Sequence, residues 1–281
     1  MKVTIIGSGV MATSIAQFLS ISDEVEELSI VVRSEQKKEN INRALNKYFK
    51  VAVRREKVAA SLIEPIKQKI KITDQYACVE GSDFVLEAVS EDRQVKKDVL
   101  QRISQFVSPE TIVASNTSSI SITGLANEVK HPENFIGAHF FNPATVMGLV
   151  EVVSGFHTSD ETVSKVLAFI DKLGKQPVVV KDAPGFIVNR MLIPMINEAV
   201  CILSEGVSSK EDIDKAMLLG ANHPMGPLAL SDFIGNDVVL AIMETLRQET
   251  GDPKYRPHPL LKKMVRANML GRKTKNGFFG Y

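Results

Sequence analysis

The first twelve residues, MKVTIIGSGVMA, constrain the fold more than any other stretch of the chain. A short β-branched run at 2–6 ends at Gly7, and the apolar spacing of SIAQFLS beyond it predicts a helix. Gly7, Gly9 and Ala12 thus have G-x-G-x-x-(G/A) spacing between a strand and a helix, which lets backbone amides approach a pyrophosphate. This predicts dinucleotide binding, with a simple tight turn as the alternative. The residues expected at the cofactor are Gly7, Ser8, Gly9, Val10 and Met11.

Short apolar runs recur along the next 170 residues and are separated mostly by helical or polar stretches. This βαβ rhythm predicts a mostly parallel sheet of the Rossmann type. The expected strands are 28–32, 84–89, 111–115 and 135–140, followed by LVEVVSG and PVVVKD. Between the second strand and 84–89, apolar residues at helical spacing (Ile41, Leu45, Phe49, Val58 and Leu62) predict a helical hairpin set against the sheet.

After VVVKDAPG the pattern changes to helices only. We predict a long apolar helix from about Pro184 to Glu205, with the proline in its first turn. The next helix is predicted to begin at Ser208, where SSKE has the form of a capping box with Glu211. The chain therefore divides into a dinucleotide-binding α/β domain, 1–182, and an all-α domain, 183–281, expected to complete the substrate pocket and form a dimer interface.

Composition limits the remaining possibilities. The chain has 281 residues, 44% of them hydrophobic, and a formal charge of +1, so its total charge favours neither a nucleic-acid nor a membrane partner. Cys78 and Cys201 are far apart and lack metal-type spacing, which favours a reducing, cytoplasmic environment and predicts no metal site. Polar residues interrupt every apolar run before the roughly 20 residues that a membrane span requires.

The second strand ends in Val32, Arg33 and Ser34, where such a unit usually carries an acid that binds the adenosine ribose. An acid there accepts hydrogen bonds from a 2′-hydroxyl and repels a 2′-phosphate, whereas arginine accommodates the phosphate. Arg33, Ser34 and the nearby Lys37 offer several donors, so we predict a preference for NADP(H) over NAD(H). The alternative is that Arg33 points into solvent and the adenosine is held loosely.

A histidine and a glutamate occupy two consecutive strands near the end of this pattern. His139 lies at the end of one apolar strand, and Glu151 lies twelve residues later on the next. A carboxylate on one imidazole nitrogen fixes the tautomer and leaves the other nitrogen to exchange a proton with substrate, as oxidation of a secondary alcohol requires. Taken alone, a histidine at such a place is more often a packed core residue and a strand glutamate is usually solvated.

Six ordered stretches now resemble the L-3-hydroxyacyl-CoA dehydrogenase family, over nearly the whole chain. They are EAVSEDRQVKKDVL (87–100), ASNTSSISI (114–122), GAHFFNPATVMGLVEVV (137–153), DAPGFIVNRMLIPMINEA (182–199), HPMGPLALSDFIG (223–235) and GRKTKNGFFGY (271–281). The resemblance implies that His139 is the catalytic base, Glu151 orients it, Ser118 bonds the substrate oxygen and Asn189 faces the site. It also implies a nicotinamide end formed by Glu91, Lys96, Asn142 and Lys273, for which surface charges and a turn are the ordinary interpretations.

The family binds coenzyme A partly through the helical excursion after the second strand. In this chain 33–71 carries twelve basic residues against four glutamates, a basic patch in which Lys47 and Lys50 are weak candidates for contacts with coenzyme A. A solvated helix face is the alternative.

The resemblance implies reversible hydride transfer between short-chain (S)-3-hydroxyacyl-CoA and 3-oxoacyl-CoA by a homodimer. Three alternatives stay open. One is a related dehydrogenase of free hydroxy acids or carnitine-like compounds. The others are a non-catalytic protein of the kind found in lens and a sensor that binds NADP(H) without turnover.

Overall fold

The computed structural model describes residues 1–281, which form two compact units, Met1–Ala183 and Pro184–Tyr281. The strands are β1 (Lys2–Ile6), β2 (Glu27–Val31), β3 (Ile70–Thr73), β4 (Phe84–Glu87), β5 (Ile112–Ser115), β6 (Phe135–Phe140), β7 (Leu149–Ser154) and β8 (Gln176–Lys181). The helices of the first unit are α1 (Val10–Ser20), α2 (Glu35–Arg54), α3 (Ile63–Gln68), α4 (Arg93–Ile103), α5 (Ile122–Ala126) and α6 (Asp160–Lys172). Those of the second are α7 (Val188–Ser204), α8 (Lys210–Gly220), α9 (Pro227–Ile234), α10 (Asn236–Thr250) and α11 (Pro259–Arg266).

The first unit is built on one eight-stranded sheet, in the order β3-β2-β1-β4-β5-β6-β7-β8. Every neighbouring pair is parallel except β6 and β7, which are antiparallel. Central strands such as β4 are buried along their whole length, as expected where helices cover both faces of a parallel sheet. The predicted mostly parallel α/β architecture is confirmed.

The excursion after β2 was predicted as helices alone, and that prediction is wrong at its end. Helices α2 and α3 are present, and the predicted apolar face of α2 is buried at Ile41, Leu45 and Phe49. However, Ile70–Thr73 is a strand that pairs in parallel with β2 at the edge of the sheet. The edge strand IKIT is only four residues long, so its apolar–polar alternation spans just two repeats, and the helical spacing before it dominated the prediction.

Helix α7 begins at Val188 and not, as predicted, at Pro184. Gly185 and Phe186 have φ angles of +73° and +51°, and this left-handed backbone cannot belong to the first turn of an α-helix. A Cβ on Gly185 would lie 2.8 Å from the side chain of Leu246, so the turn also packs closely against its own unit.

The cap of α8 also differs from the prediction. Ser209, one residue beyond the predicted Ser208, accepts a hydrogen bond from the backbone N–H of Asp212. The adjacent serines made the cap ambiguous by one position, and Asp212 takes the place predicted for Glu211.

The second unit is helical, with a hydrophobic core formed by α7, α9, α10 and α11. Its chain end folds back onto α9, where buried Asp232 accepts hydrogen bonds from the backbone N–H groups of Phe278 and Phe279. Asp232 therefore fixes the tail. None of the helices in the structure combines the length and hydrophobicity needed to span a lipid bilayer.

Candidate active site

A cavity of about 800 Å³ opens in the first unit at the carboxyl ends of β1, β2 and β4. The glycine turn of 7–11 forms one wall, and the N-terminus of α1 begins there at Val10. Arg33, Lys37, Tyr76 and Arg102 line the far end. The carboxyl edge of a parallel sheet beside a glycine turn is where Rossmann-type domains bind dinucleotides.

The glycine turn fits a pyrophosphate in two different ways. Gly7 has a φ of +142°, and a Cβ there would lie 2.3 Å from the carbonyl oxygen of Ala88, so only glycine can bring β1 and β4 this close to the turn. Gly9, by contrast, would place a Cβ in open space within reach of the cavity. The absence of a side chain there leaves room for phosphate beside the N-terminus of α1, whose dipole favours negative charge.

At the far end of the cavity, Arg33 and Lys37 line the wall as expected, whereas Ser34 is exposed at the N-cap of α2 and does not line it. Asp74 and Tyr76 also line the cavity and were missed. Both follow β3, the strand absent from the sequence prediction, whose parallel pairing with β2 brings its carboxyl end beside Arg33. A sequence prediction that included β3 would have placed Asp74 and Tyr76 at the cavity.

Charge at this end of the cavity is mixed. The guanidinium of Arg102 lies 5.8 Å from the centroid of the Tyr76 ring. Burial raises the pKa of Tyr76, an effect that Arg102 and Arg33 partly offset. Hydrogen bonding by Gln75 and the ammonium of Lys38, 3.7 Å away, hold the pKa of Asp74 below its usual range. Three cationic side chains thus line the cavity together with the ionised carboxylate of Asp74 and the side chain of Asp98.

The histidine and glutamate that the sequence suggests as an acid–base pair lie on β6 and β7. His139 and Glu151 are directly opposite each other in the antiparallel register, and both are buried. Imidazole Nδ1 lies 2.8 Å from Glu151 Oε2, and the ring of Phe141 packs against the imidazole with centroids 4.5 Å apart. The structure therefore brings together the two side chains that the sequence proposed as a pair.

Ser118 and Glu91 meet between two loops at the carboxyl ends of β4 and β5. Five donors, the hydroxyls of Thr117, Ser118 and Ser119 and the backbone N–H groups of the two serines, lie 2.7–3.1 Å from Glu91 Oε1. Burial alone would raise the pKa of Glu91, but the ammonium of Lys96 and these hydrogen bonds outweigh it and lower that pKa. An ionised carboxylate therefore organises the loop that carries Ser118.

Lys96 is fully buried, with its Nζ 2.8 and 3.0 Å from the two carboxylate oxygens of Glu87 and 3.5 Å from Glu91. Its ammonium thus faces two carboxylates inside the protein. Glu87 was not predicted as a site residue. Its position at the end of a buried strand gives no sequence signal distinct from that of a strand terminus.

Asn142 follows β6 on an exposed turn, and the backbone of Ala144 two residues later is fixed from both sides. Ala144 N–H donates to Ser14 Oγ, and its carbonyl accepts from Lys175 Nζ at 2.6 Å. Lys175 also donates to the carbonyl of Met147 and lies over the ring of Phe18. Burial lowers the pKa of Lys175. This lysine ties the Asn142 turn to the sheet.

The remaining predicted residues belong to the second unit and to α2. Asn189 is in the first turn of α7, and Lys273 follows in the tail of the second unit, where it pairs with Asp237 on α10. Lys47 and Lys50 are exposed on α2, and neither forms an ion pair. No group of three or more His, Cys, Asp or Glu side chains is arranged to hold a metal ion.

Comparison with known proteins matches each of the two units to a domain of the same family. Residues 2–183 match the NAD binding domain of 3-hydroxyacyl-CoA dehydrogenase, and residues 185–281 match its C-terminal domain. The chain belongs to the 3-hydroxyacyl-CoA dehydrogenase family. It is therefore an oxidoreductase that acts on a CH–OH group and uses a nicotinamide cofactor.

The relatives of this dehydrogenase cover its full length. It is 48% identical over 282 residues to the 3-hydroxybutyryl-CoA dehydrogenase of Clostridioides difficile, covering 100% of this chain and 99% of the relative. It is 39% identical to the human mitochondrial hydroxyacyl-coenzyme A dehydrogenase, covering 99% and 90%. The crystal structure of (S)-3-hydroxybutyryl-CoA dehydrogenase from Ralstonia eutropha matches with a TM-score of 0.95 and 43% identity, covering 100% and 98%.

Proposed function

We propose that this dehydrogenase interconverts short-chain (S)-3-hydroxyacyl-CoA and 3-oxoacyl-CoA, with acetoacetyl-CoA as the first substrate to test. The observation that carries the proposal is the buried His139–Glu151 pair, joined at 2.8 Å, in a chain of this family. The bacterial relatives are named 3-hydroxybutyryl-CoA dehydrogenases, and this supports a short acyl chain on the substrate.

The pair supplies acid–base chemistry. Ionised Glu151 accepts a hydrogen bond from the Nδ1–H group of His139. Nε2 of the neutral ring then takes the hydroxyl proton of the substrate. A nicotinamide cofactor bound beside the glycine turn would supply the hydride acceptor for the same carbon in oxidation and the hydride donor in reduction. In reduction, protonated His139 donates its Nε2 proton to the carbonyl oxygen. Ser118 and Asn189 hydrogen-bond the substrate in this scheme, and Glu91, Lys96, Asn142 and Lys273 support the nicotinamide end.

For the cofactor we infer a preference for NADP(H). The support is the cationic wall of Arg33, Lys37 and Arg102, because guanidinium groups bind phosphate in bidentate fashion. Asp74 is the opposing observation, since its carboxylate could accept hydrogen bonds from the ribose hydroxyls of NAD(H). Arg33 thus favours NADP(H) and Asp74 favours NAD(H), and substitution of each residue distinguishes the two cofactor preferences.

Arg33→Asp should lower the ratio of kcat/KM for NADPH to that for NADH by about 10- to 100-fold, the value of one or more charge-assisted hydrogen bonds. Asp74→Asn is the matched control, because it removes a charge from the same wall. It should leave the rate with NADH within about threefold if phosphate recognition decides the preference. An unchanged ratio in Arg33→Asp, or a large loss with NADH in Asp74→Asn, would instead favour NAD(H).

We further propose that coenzyme A contacts the basic face of α2. Lys47 and Lys50 are exposed there and form no ion pair, so their charges can attract the phosphates of the thioester. The double variant Lys47→Ala/Lys50→Ala should raise KM for acetoacetyl-CoA severalfold at low salt and leave KM for the cofactor unchanged. Loss of the difference in high salt would support a long-range electrostatic effect.

The protein is proposed to act as a homodimer in the cytoplasm. Its second unit exposes several large apolar side chains, and contiguous apolar surface marks protein–protein interfaces. They are Ile187, Met191, Val207, Leu218, Leu219, Phe233 and Val238. Both cysteines are free thiols, which fits a reducing compartment. Sedimentation equilibrium should give twice the chain mass of 30.9 kDa.

The first experiment is the steady-state rate of acetoacetyl-CoA reduction with NADPH and with NADH, followed by loss of nicotinamide absorbance. Free acetoacetate serves as the comparison substrate. A rate with the thioester well above that with the free acid would support the proposal. A rate with the free acid alone would favour a hydroxy-acid dehydrogenase, and binding of NADPH without turnover would favour a sensor.

A further inference from the structure

A buried ion pair lies at the carboxyl ends of β4 and β5, behind the loop that carries Ser118. Glu87 and Lys96 both have 0% side-chain exposure, and the ammonium contacts both carboxylate oxygens at 2.8 and 3.0 Å. Ser115 Oγ donates to Glu87 Oε2 at 2.5 Å, and the backbone N–H of Val89 donates to Oε1 at 2.7 Å. The hydrogen-bond and ion-pair partners of the Glu87 carboxylate are thus all groups of the protein itself.

Such a pair is a poor source of stability. Removing two charges from water costs about as much as their attraction returns, so apolar side chains of similar volume often stabilise a core equally well. The cost calls for a second reason at this position. The third neighbour of the Lys96 ammonium supplies one, because it is Glu91, whose carboxylate lies 3.5 Å away and is partly exposed.

Glu91 connects the buried pair to Ser118. One oxygen faces Lys96, and the other accepts the hydroxyl of Ser118 at 3.1 Å and its backbone N–H at 2.8 Å. The hydroxyl that the proposed reaction assigns to the substrate oxygen is therefore three contacts from Glu87. The chain of contacts runs Glu87, Lys96, Glu91, Ser118, and every link is an ion pair or a charge-assisted hydrogen bond.

We propose that Glu87 is a positioning residue that fixes the direction of the Ser118 hydroxyl through Lys96 and Glu91. This rests on the proposed role of Ser118 in substrate binding. Held by both oxygens of Glu87, the ammonium keeps its distance from Glu91, and the Glu91 carboxylate stays centred on the hydroxyl cluster. With the Glu87 charge removed, Glu91 becomes the sole carboxylate beside a desolvated ammonium. The ammonium and Glu91 then draw together, and Glu91 withdraws from Ser118.

The test is a double-mutant cycle of Glu87→Gln and Ser118→Ala, read as kcat/KM for acetoacetyl-CoA. Each single change should lower kcat/KM about tenfold, the effect of one ordinary hydrogen bond. At saturating cofactor the double variant should be no worse than Ser118→Ala, because the effect of Glu87 on the substrate passes through the hydroxyl already removed. Purely structural damage would combine with Ser118→Ala as the product of the two effects, as independent sites do.

Thr111→Val is the matched control. Thr111 lies just before β5 and is buried like Glu87, and its hydroxyl donates to the carbonyl of Ser82 at 3.0 Å, away from the site. Thr111→Val should change kcat/KM by the same factor in the parent protein and in Ser118→Ala. Melting temperatures of all variants separate loss of folded protein from loss of turnover.

Ser115→Ala covers the case in which Glu87→Gln does not fold. It leaves all charges in place and removes one hydrogen bond to Glu87, so kcat/KM should fall about threefold in the parent and not at all in Ser118→Ala. Independent effects in both cycles, or unchanged kcat/KM in Glu87→Gln and Ser115→Ala, would overturn the inference alone. Unchanged kcat/KM in Ser118→Ala would also remove the proposed role of Ser118. A parent protein without activity on acetoacetyl-CoA would overturn the proposed function and this inference with it.

Discussion

The most direct test of the mechanism is Glu151→Gln. The change removes one charge from a side chain that is 1% exposed and bonded at 2.8 Å to His139. Glutamine has almost the same volume and its amide oxygen can still accept from Nδ1, so the geometry of β6 and β7 can be kept. What is lost is the carboxylate opposite the imidazolium that forms when His139 takes the substrate proton.

The size of the effect follows from the strength of such a contact. A hydrogen bond to a charged group contributes about 1.5–3 kcal/mol, against about 1 kcal/mol for a neutral one. The difference applies when His139 is protonated, and each 1.4 kcal/mol is about a factor of ten in rate. We therefore expect kcat to fall about 10- to 100-fold, while KM for the nicotinamide cofactor stays within about twofold.

The assay is steady-state oxidation of 3-hydroxybutyryl-CoA, with the melting temperature as a check on folding. Glu133→Gln is the matched control, because Glu133 approaches His131 on the surface, at 3.6 Å and with 54% exposure. It should leave kcat unchanged. If a folded Glu151→Gln protein keeps kcat within about threefold of the parent, the carboxylate does not assist proton transfer and the scheme is wrong.

Three further outcomes follow from the contacts described above. His139→Gln should lower turnover by about 10²–10⁴-fold while the cofactor Kd, measured by fluorescence, changes less than about twofold; comparable turnover would remove His139 from the reaction. Glu91→Gln should cost most stability at neutral pH, since a lowered carboxyl pKa stabilises above the ordinary value of 4.5 and the benefit disappears as pH falls through the folded-state pKa; urea unfolding that shows a pH-independent difference would contradict this. Asp232→Ala should destabilise the protein by about 3 kcal/mol and expose the tail 276–281 to proteases, because two buried N–H groups lose their acceptor; an equally resistant tail would show that other contacts hold it.

The sequence predicts some parts of this molecule well for physical reasons. Strand alternation and the twelve-residue separation place His139 and Glu151 on neighbouring strands, and the antiparallel register puts them opposite each other. The glycine turn is likewise predictable, because Gly7 meets a backbone carbonyl that excludes any side chain. In both cases the determining interaction lies within one strand pair or one turn.

Other parts depend on contacts that no local pattern encodes. Asp74 and Tyr76 reach the cavity only because a weak edge strand pairs with β2. Glu91 and Ser118 meet because two loops from different strands end at the same edge of the sheet. The start of α7 depends on the left-handed backbone at Phe186, which its amino-acid type does not favour.

Two buried carboxylates therefore serve this edge of the sheet in different ways. Glu151 contacts the imidazole of His139 directly, whereas Glu87 is linked to Ser118 through a lysine and a second glutamate. A direct contact should affect kcat in either reaction direction, because His139 is an imidazolium at the end of proton transfer in oxidation and at its start in reduction. The indirect one should affect whichever step requires Ser118 Oγ at the position in which its hydrogen bond to Glu91 holds it. Ser118→Ala separates the two routes, because the effect of Glu87→Gln should disappear in that background whereas the effect of Glu151→Gln should remain.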